Sequence, residues 1–274
     1  MSFFDHIGEL RQHILRSVAA ISVVAVVAFV NKDFVFNQFI LGPMQQDFIT
    51  YQKICDFSTW LGWGDTLCFK PPPFKLSTRQ MAEVLMQHLY VSFWMGVIVA
   101  FPYILWEVWR FISPGLHQHE RRSAGSVIVV CTLLFFIGVV FGYLVIAPFS
   151  ISCLAGYTME GVEVAPTLDS YVTYMTMFTL PTGLVFEMPV AAYFLATIGL
   201  LGPTVMRTYR RHAIVVLLII AAVITPPDVV SQTIVAIPLY VLYELSILVA
   251  ARVSKKRVLA LEKAAATPLP EKTE

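Results

Sequence analysis

The chain is short of charge, of cysteine and of every catalytic signature that a sequence can carry by itself. Only 14% of its residues are charged, against 57% hydrophobic, and the mean hydropathy is +0.72. A soluble domain cannot hide that much apolar side chain, whereas a bilayer accepts it. The net charge of +1, with no basic arm and no acidic tail, excludes nucleic-acid binding driven by bulk electrostatics. No glycine-rich phosphate cradle is present, which excludes an encoded nucleotide site. His119-Glu120 is not followed by a second histidine at zinc-protease spacing, and no Gly-x-Ser-x-Gly elbow occurs. The four cysteines show no metal-ligand spacing with histidine. No catalytic residue, metal or cofactor is therefore expected. No cleavage site of small residues follows the first apolar run, so the N-terminus reads as mature protein.

What remains is the pattern of a polytopic all-α membrane protein. Apolar stretches cover Ile14–Val30, Val84–Ile112, Ala124–Phe149, Ser170–Leu201, Ala213–Thr225 and Val229–Ala251. Crossing a hydrocarbon core of about 30 Å takes about 20 helical residues. Four stretches satisfy this; the first is marginal unless its helix starts before Ile14. The fifth is too short, and its turn into the sixth is only Pro226-Pro227-Asp228. A re-entrant hairpin would accommodate such a pair. A tight two-helix hairpin in a locally thinned bilayer fits better, because basic residues flank both far ends.

Six spans predict residues 1–13 as an amphipathic N-terminal helix, 14–251 as the transmembrane domain and 252–274 as a partly disordered tail. The outer loops are 31–83, 150–169 and 226–228; the inner loops are 113–123 and 202–212. On this topology 14 of the 19 lysines and arginines lie at the start, in the inner loops and in the tail, while loop 150–169 carries none. The positive-inside asymmetry places both termini in the cytoplasm. Loop 31–83 is too long for a simple connector. Its Pro71-Pro72-Pro73 is stiff, and Ser77 with Gln80 predicts a helix start. Cys55 and Cys68 share this outer loop, where a disulfide is plausible; Cys131 reads as a buried thiol, and Cys153 lies just beyond the third span.

Several polar residues are candidates for function. Phe3, Ile7, Leu10 and Ile14 form a helical stripe, with Asp5, Glu9 and Gln12 largely on other faces; Glu9 and Arg11 also fit an ordinary solvated face. Glu120 is an acid on an otherwise basic surface. Glu187 lies deep in the fourth stretch, where an ionisable group is costly, as a functional acid or as a structural one met by backbone that Pro181 or Pro189 frees. Glu107 and Glu244 near cytoplasmic helix ends are expected to snorkel or to pair with Arg110 or Arg252. Asp228 fits an N-cap. Thr225 and Gln232 would lie together at the thinned edge, able to hold a polar residue from a partner helix.

The segments Phe4-Asp-His-Ile-Gly-Glu-Leu-Arg11, Trp109-Arg-Phe-Ile-Ser-Pro-Gly-Leu116, His119-Glu-Arg-Arg122, Phe186-Glu-Met-Pro189, Thr225-Pro-Pro-Asp-Val-Val-Ser-Gln232 and Ala236-Ile-Pro238 occur in this order on the six-span pattern. Together they resemble TatC, the multispanning receptor subunit of the twin-arginine protein translocase. The resemblance implies a concave six-helix cup with two short last helices, in the bacterial cytoplasmic (inner) membrane. It implies binding of paired-arginine signal peptides, small single-span partners of the TatA and TatB type, self-association in a larger complex, and export of folded proteins on the proton-motive force. Glu9 and Glu120 match the family's contacts for the two arginines, whose planar guanidinium forks a carboxylate accepts bidentately. Glu187, Thr225 and Gln232 match its partner-binding positions. The chain departs from the pattern at His13, where a second basic residue is common, and at Glu107, where glutamine is commoner. The alternative reading is a six-span secondary transporter with Glu187 as its proton or cation site; an intramembrane enzyme lacks any motif to support it.

Overall fold

The computed structural model describes residues 3–60, 62, 68, 71, 74–112, 124–157, 165–225 and 229–266. Glu120 with its loop 113–123, Pro226, Pro227 and Asp228, Pro72 and Pro73, and the tail beyond Ala266 lie outside the described residues. Among those described, the chain is helical with one isolated β-bridge.

Helix α1 runs unbroken from Phe3 to Val30, so the N-terminal amphipathic stretch and the first apolar stretch form one rod. A short helix α2 (Ile49–Trp60) precedes α3 (Glu83–Ile112). Helix α4 (Ala124–Phe141) passes through a π-helical turn at Gly142–Ile146 into α5 (Ala147–Gly156), placing Cys153 within the helix instead of beyond it. The fourth apolar stretch divides into α6 (Leu168–Val185) and α7 (Met188–Thr197). Then come α8 (Pro203–Thr208), α9 (Arg210–Ile224) and α10 (Val229–Ala266).

Five stretches are long and apolar enough to cross a membrane: Gly8–Val30, Glu83–Phe111, Val127–Gly156, Leu168–Thr197 and Gln232–Lys255. The first qualifies because its helix begins well before Ile14. Helix α9 has 15 residues, roughly 22 Å at 1.5 Å each, and falls short of the core thickness.

Two expectations about helix ends are corrected. Ser77 does not start α3: its backbone forms a parallel bridge with Thr167, its N–H donating to the Pro166 carbonyl (3.0 Å) and its carbonyl accepting from the Leu168 N–H (2.9 Å). Glu83 takes over the capping, its Oε2 accepting from the Arg79 and Gln80 N–H groups at 2.6 and 3.3 Å. At the other end α10 continues past Arg257 to Ala266, because Leu, Glu, Lys and Ala are strong helix formers there.

Helix α1 packs along α3, α4 along α6, and α10 against α7 and α9. The buried centre includes Val91, Ile146, Val172, Phe178, Leu217 and Leu239. Two glycines permit the close approaches. A Cβ on Gly96 would stand 2.7 Å from the Ile21 carbonyl oxygen of α1, and one on Gly138 would stand 2.8 Å from the Gly183 Cα of α6. In a bilayer, where lipid tails are as apolar as leucine, helices associate by such close packing and by polar contacts.

On the side of loop 31–83, tyrosine hydroxyls tie the loop to the helices. Tyr51 of α2 is 1% exposed and its hydroxyl donates to the Pro43 carbonyl at 2.7 Å; burial pushes that hydroxyl up to about 12, so it stays protonated. The Tyr143 and Tyr171 hydroxyls donate to the carbonyls of Phe39 (2.8 Å) and Ile40 (2.7 Å). Cys55 and Cys68 are joined in a disulfide.

Gly96→Val is expected to lower stability by about 1–3 kcal/mol by prising α1 from α3. A melting curve of the detergent-purified protein checks this; an unchanged midpoint would remove the close approach from the account.

Candidate functional site

The site is built where the start of α1 meets the end of α3. Residues 9, 13 and 16 follow the i, i+4, i+7 spacing of one helix face. His13, in the middle of that stripe, is 7% exposed and Glu107 of α3 is 1% exposed. The His13 imidazole Nδ1 lies 2.5 Å from Glu107 Oε2. The Tyr103 hydroxyl donates to the other oxygen, Oε1, at 2.9 Å, and the Arg16 guanidinium stands 4.0 Å from Oε2. The ring of Phe111, one turn beyond Glu107, meets the His13 ring edge-on at 6.0 Å. Both carboxylate oxygens of Glu107 therefore have a donor from within the protein.

This corrects the expectation that Glu107 pairs with Arg110. Four residues back along α3 is Tyr103 and across the helix pair is His13, and these reach the buried carboxylate. On the N-terminal stripe Leu10 and Ile14 are exposed, while Glu9 is half-buried and His13 buried. A membrane helix turns its apolar face outward and its polar face toward its neighbour. His13 and Glu107 thus meet each other across the helix pair.

Glu9 lies one turn before His13, and no ion pair to it is found among the described residues. Glu120 lies outside the described residues, in the loop that leaves α3 at Ile112.

Glu187 lies at the break between α6 and α7. Pro189 stands in the first turn of α7 and has no N–H to donate, so the helix divides here; the Glu187 carbonyl accepts from Val190 and Ala191 N–H groups, both at 3.0 Å. Its side chain does not cap the helix, and its buried Oε1 has no hydrogen-bond partner among the described residues. The buried Cys131 thiol of α4 faces it.

Thr225 and Gln232 both bond to α9. The Thr225 hydroxyl donates to the Ala221 carbonyl at 2.8 Å, and Gln232 Nε2 donates to the Leu218 carbonyl at 3.1 Å. Both bond to the last turns of α9. Glu244 is corrected in the same way as Glu107: it accepts from Arg210 Nη2 of α9 at 2.7 Å and from the Tyr240 hydroxyl at 3.1 Å, not from Arg252. A further polar cluster was not foreseen. Glu83 Oε1 accepts from the Asp169 N–H at 3.1 Å, and Gln87 Nε2 donates to Asp169 Oδ1 at 2.5 Å, joining the starts of α3 and α6. The legible signal for it was a polar i, i+4 pair at one helix start. Among the described residues no group of three or more His, Cys, Asp or Glu could hold a metal.

The family model for the Sec-independent protein translocase protein TatC matches residues 5–238. A relative from Blattabacterium sp. subsp. Periplaneta americana, a Sec-independent protein translocase protein TatC, is 35% identical over 262 residues, covering 94% of this chain and 97% of its own. The Halalkalibacterium halodurans protein of the same name is 33% identical over 264 residues, covering 96% and 94%. A crystal structure of the twin-arginine translocase receptor TatC superposes with a TM-score of 0.68 at 29% identity, covering 89% of this chain and 97% of that one. A second, of the receptor in DDM, gives 0.70 at 28% identity, covering 89% and 99%. Matched over most of its length in sequence and in helical arrangement, the chain belongs to the TatC family of Sec-independent protein translocase proteins, membrane proteins of protein transport.

Proposed function

We propose that the protein is the receptor of a twin-arginine translocase and that Glu9 and Glu120 accept the two guanidinium groups of a signal peptide. The observation that carries this reading is the placement of Glu9. It is half-buried at the start of α1, on the stripe turned toward α3, and α3 ends at Ile112 where the loop to Glu120 begins. Two carboxylates at one surface suit two arginines, because each fork is bound bidentately and lysine cannot reproduce that geometry. The topology consistent with this reading has six helices, α9 being the short fifth, with both termini in the cytoplasm of a bacterium.

Partner subunits form the second half of the proposal. Glu187 keeps a buried oxygen without a partner, and Phe186, Pro189 and Val190 beside it line an apolar crevice completed by α4 and α10, about 640 Å³ in volume. A single-span helix bringing one polar donor into such surroundings would satisfy that oxygen. Thr225 and Gln232, at the end of the short α9, are proposed as the second partner contact. Folded cargo would then be exported by the assembled complex, several copies of this chain with TatA- and TatB-type subunits, on the proton-motive force.

Replacing Glu120 or Glu9 by Gln is expected to reduce crosslinking of a twin-arginine signal peptide to the purified protein by roughly tenfold, with a twin-lysine peptide as the baseline. Undiminished crosslinking of the Glu120→Gln protein sinks the assignment. Glu187→Ala is expected to spare peptide binding while lowering co-purification of the single-span partners. Loss of both together would assign Glu187 a structural role.

A further inference from the structure

Another carboxylate, Glu107, lies beside the stripe of α1 that carries Glu9, and the fold silences it. Glu107 stands one turn before Phe111 and five residues before the end of α3, and it faces the stripe of α1 that carries Glu9. Along α1, His13 is four residues from Glu9, about 6 Å of helix rise. A peptide guanidinium bound at Glu9 would therefore find Glu107 within a turn or so, deeper between the helices.

Coulomb attraction alone does not tell one carboxylate from another. What distinguishes them is occupancy. Glu107 has one oxygen met by the His13 ring at 2.5 Å and the other by the Tyr103 hydroxyl at 2.9 Å. Arg16 stands at 4.0 Å, beyond a direct hydrogen bond. Glu9 has no ion pair among the described residues. The acid without an ion pair is the half-buried one, and the fully buried acid is already bound.

We propose that His13 and Glu107 are positioning residues of the guanidinium site: their contact fixes the register of Glu9 against α3 and withholds Glu107 from the incoming arginines. This inference rests on the reading of Glu9 and Glu120 as the arginine contacts. Removing the histidine leaves a buried carboxylate short of a donor, which is far costlier than losing both partners together. That carboxylate then draws the nearest mobile cation, either Arg16 or a peptide arginine, and the peptide binds out of register.

The predictions separate positioning from simple packing. His13→Ala is expected to weaken binding of a twin-arginine signal peptide by about tenfold and to narrow its preference over a twin-lysine peptide. The double variant His13→Ala/Glu107→Gln is expected to recover the parent affinity and preference to within about threefold, because no unmet carboxylate remains. A cavity left by the missing ring would persist in the double variant, so an equal loss in both variants overturns the proposal. So does a His13→Ala protein that binds and discriminates as the parent does. Size-exclusion profiles and melting curves establish that each variant is folded. If His13→Ala is not, His13→Gln, which keeps a side-chain donor, takes its place: it is expected within about threefold of the parent, and a tenfold loss overturns the proposal. A parent protein with no preference for the twin-arginine peptide brings down the receptor reading and this inference together. A discriminating parent with an indifferent His13→Ala protein brings down only the latter.

Discussion

A carboxylate on a membrane helix has to find its hydrogen bonds inside the protein, and much of this architecture follows from that one requirement. An unmet ionised group between helices costs several kcal/mol, and no bulk water is at hand to meet it. Each acid on the spanning helices therefore draws a partner across to it. Glu107 of α3 takes His13 of α1, Glu83 of α3 takes the Asp169 backbone of α6, and Glu244 of α10 takes Arg210 of α9. These contacts specify which helices are neighbours and at what height, a task that apolar packing among lipid-like side chains performs poorly. Glu9 and Glu187 are the exceptions: among the described residues Glu9 has no ion pair and Glu187 Oε1 no hydrogen-bond partner.

The all-helical class and five long apolar stretches were legible because hydrophobic runs bounded by charge and proline are long-range signals. The brevity of α9 followed from the distance between Arg211-His212 and Pro226. The family was legible too, from short motifs in a fixed order. Pairings across helices were not. Arg110 and Arg252 looked like partners for Glu107 and Glu244 because they are near in sequence, yet the chosen partners are 94 and 34 residues away. Nor did sequence tell which side of α1 faces inward. Ser77 carried the residue pattern of a helix start, but a bridge to Thr167, ninety residues on, claimed its backbone first.

The region joining α1 to α3 shows a different economy. Here the loop is folded back over the helix ends and tied by tyrosines whose rings lie among apolar neighbours while their hydroxyls reach backbone carbonyls. Carbonyls in an irregular segment close to a membrane need such donors, since the segment lacks a helix to satisfy them. The same residues leave Phe57 and Trp60 outside, with Trp60 81% exposed.

Helix α1 leans on a single neighbour. Nearly all its packing is with α3, and the rest of its surface is exposed. Two rods joined along one seam behave as a beam. From His13 the contacts run into Glu107, back along α3 for the 20 residues from Glu107 to Gln87 (107 − 87), and out at Gln87, which bonds Asp169 on α6. The seam between α1 and α3 and the contact between α3 and α6 thus lie at opposite ends of one long helix.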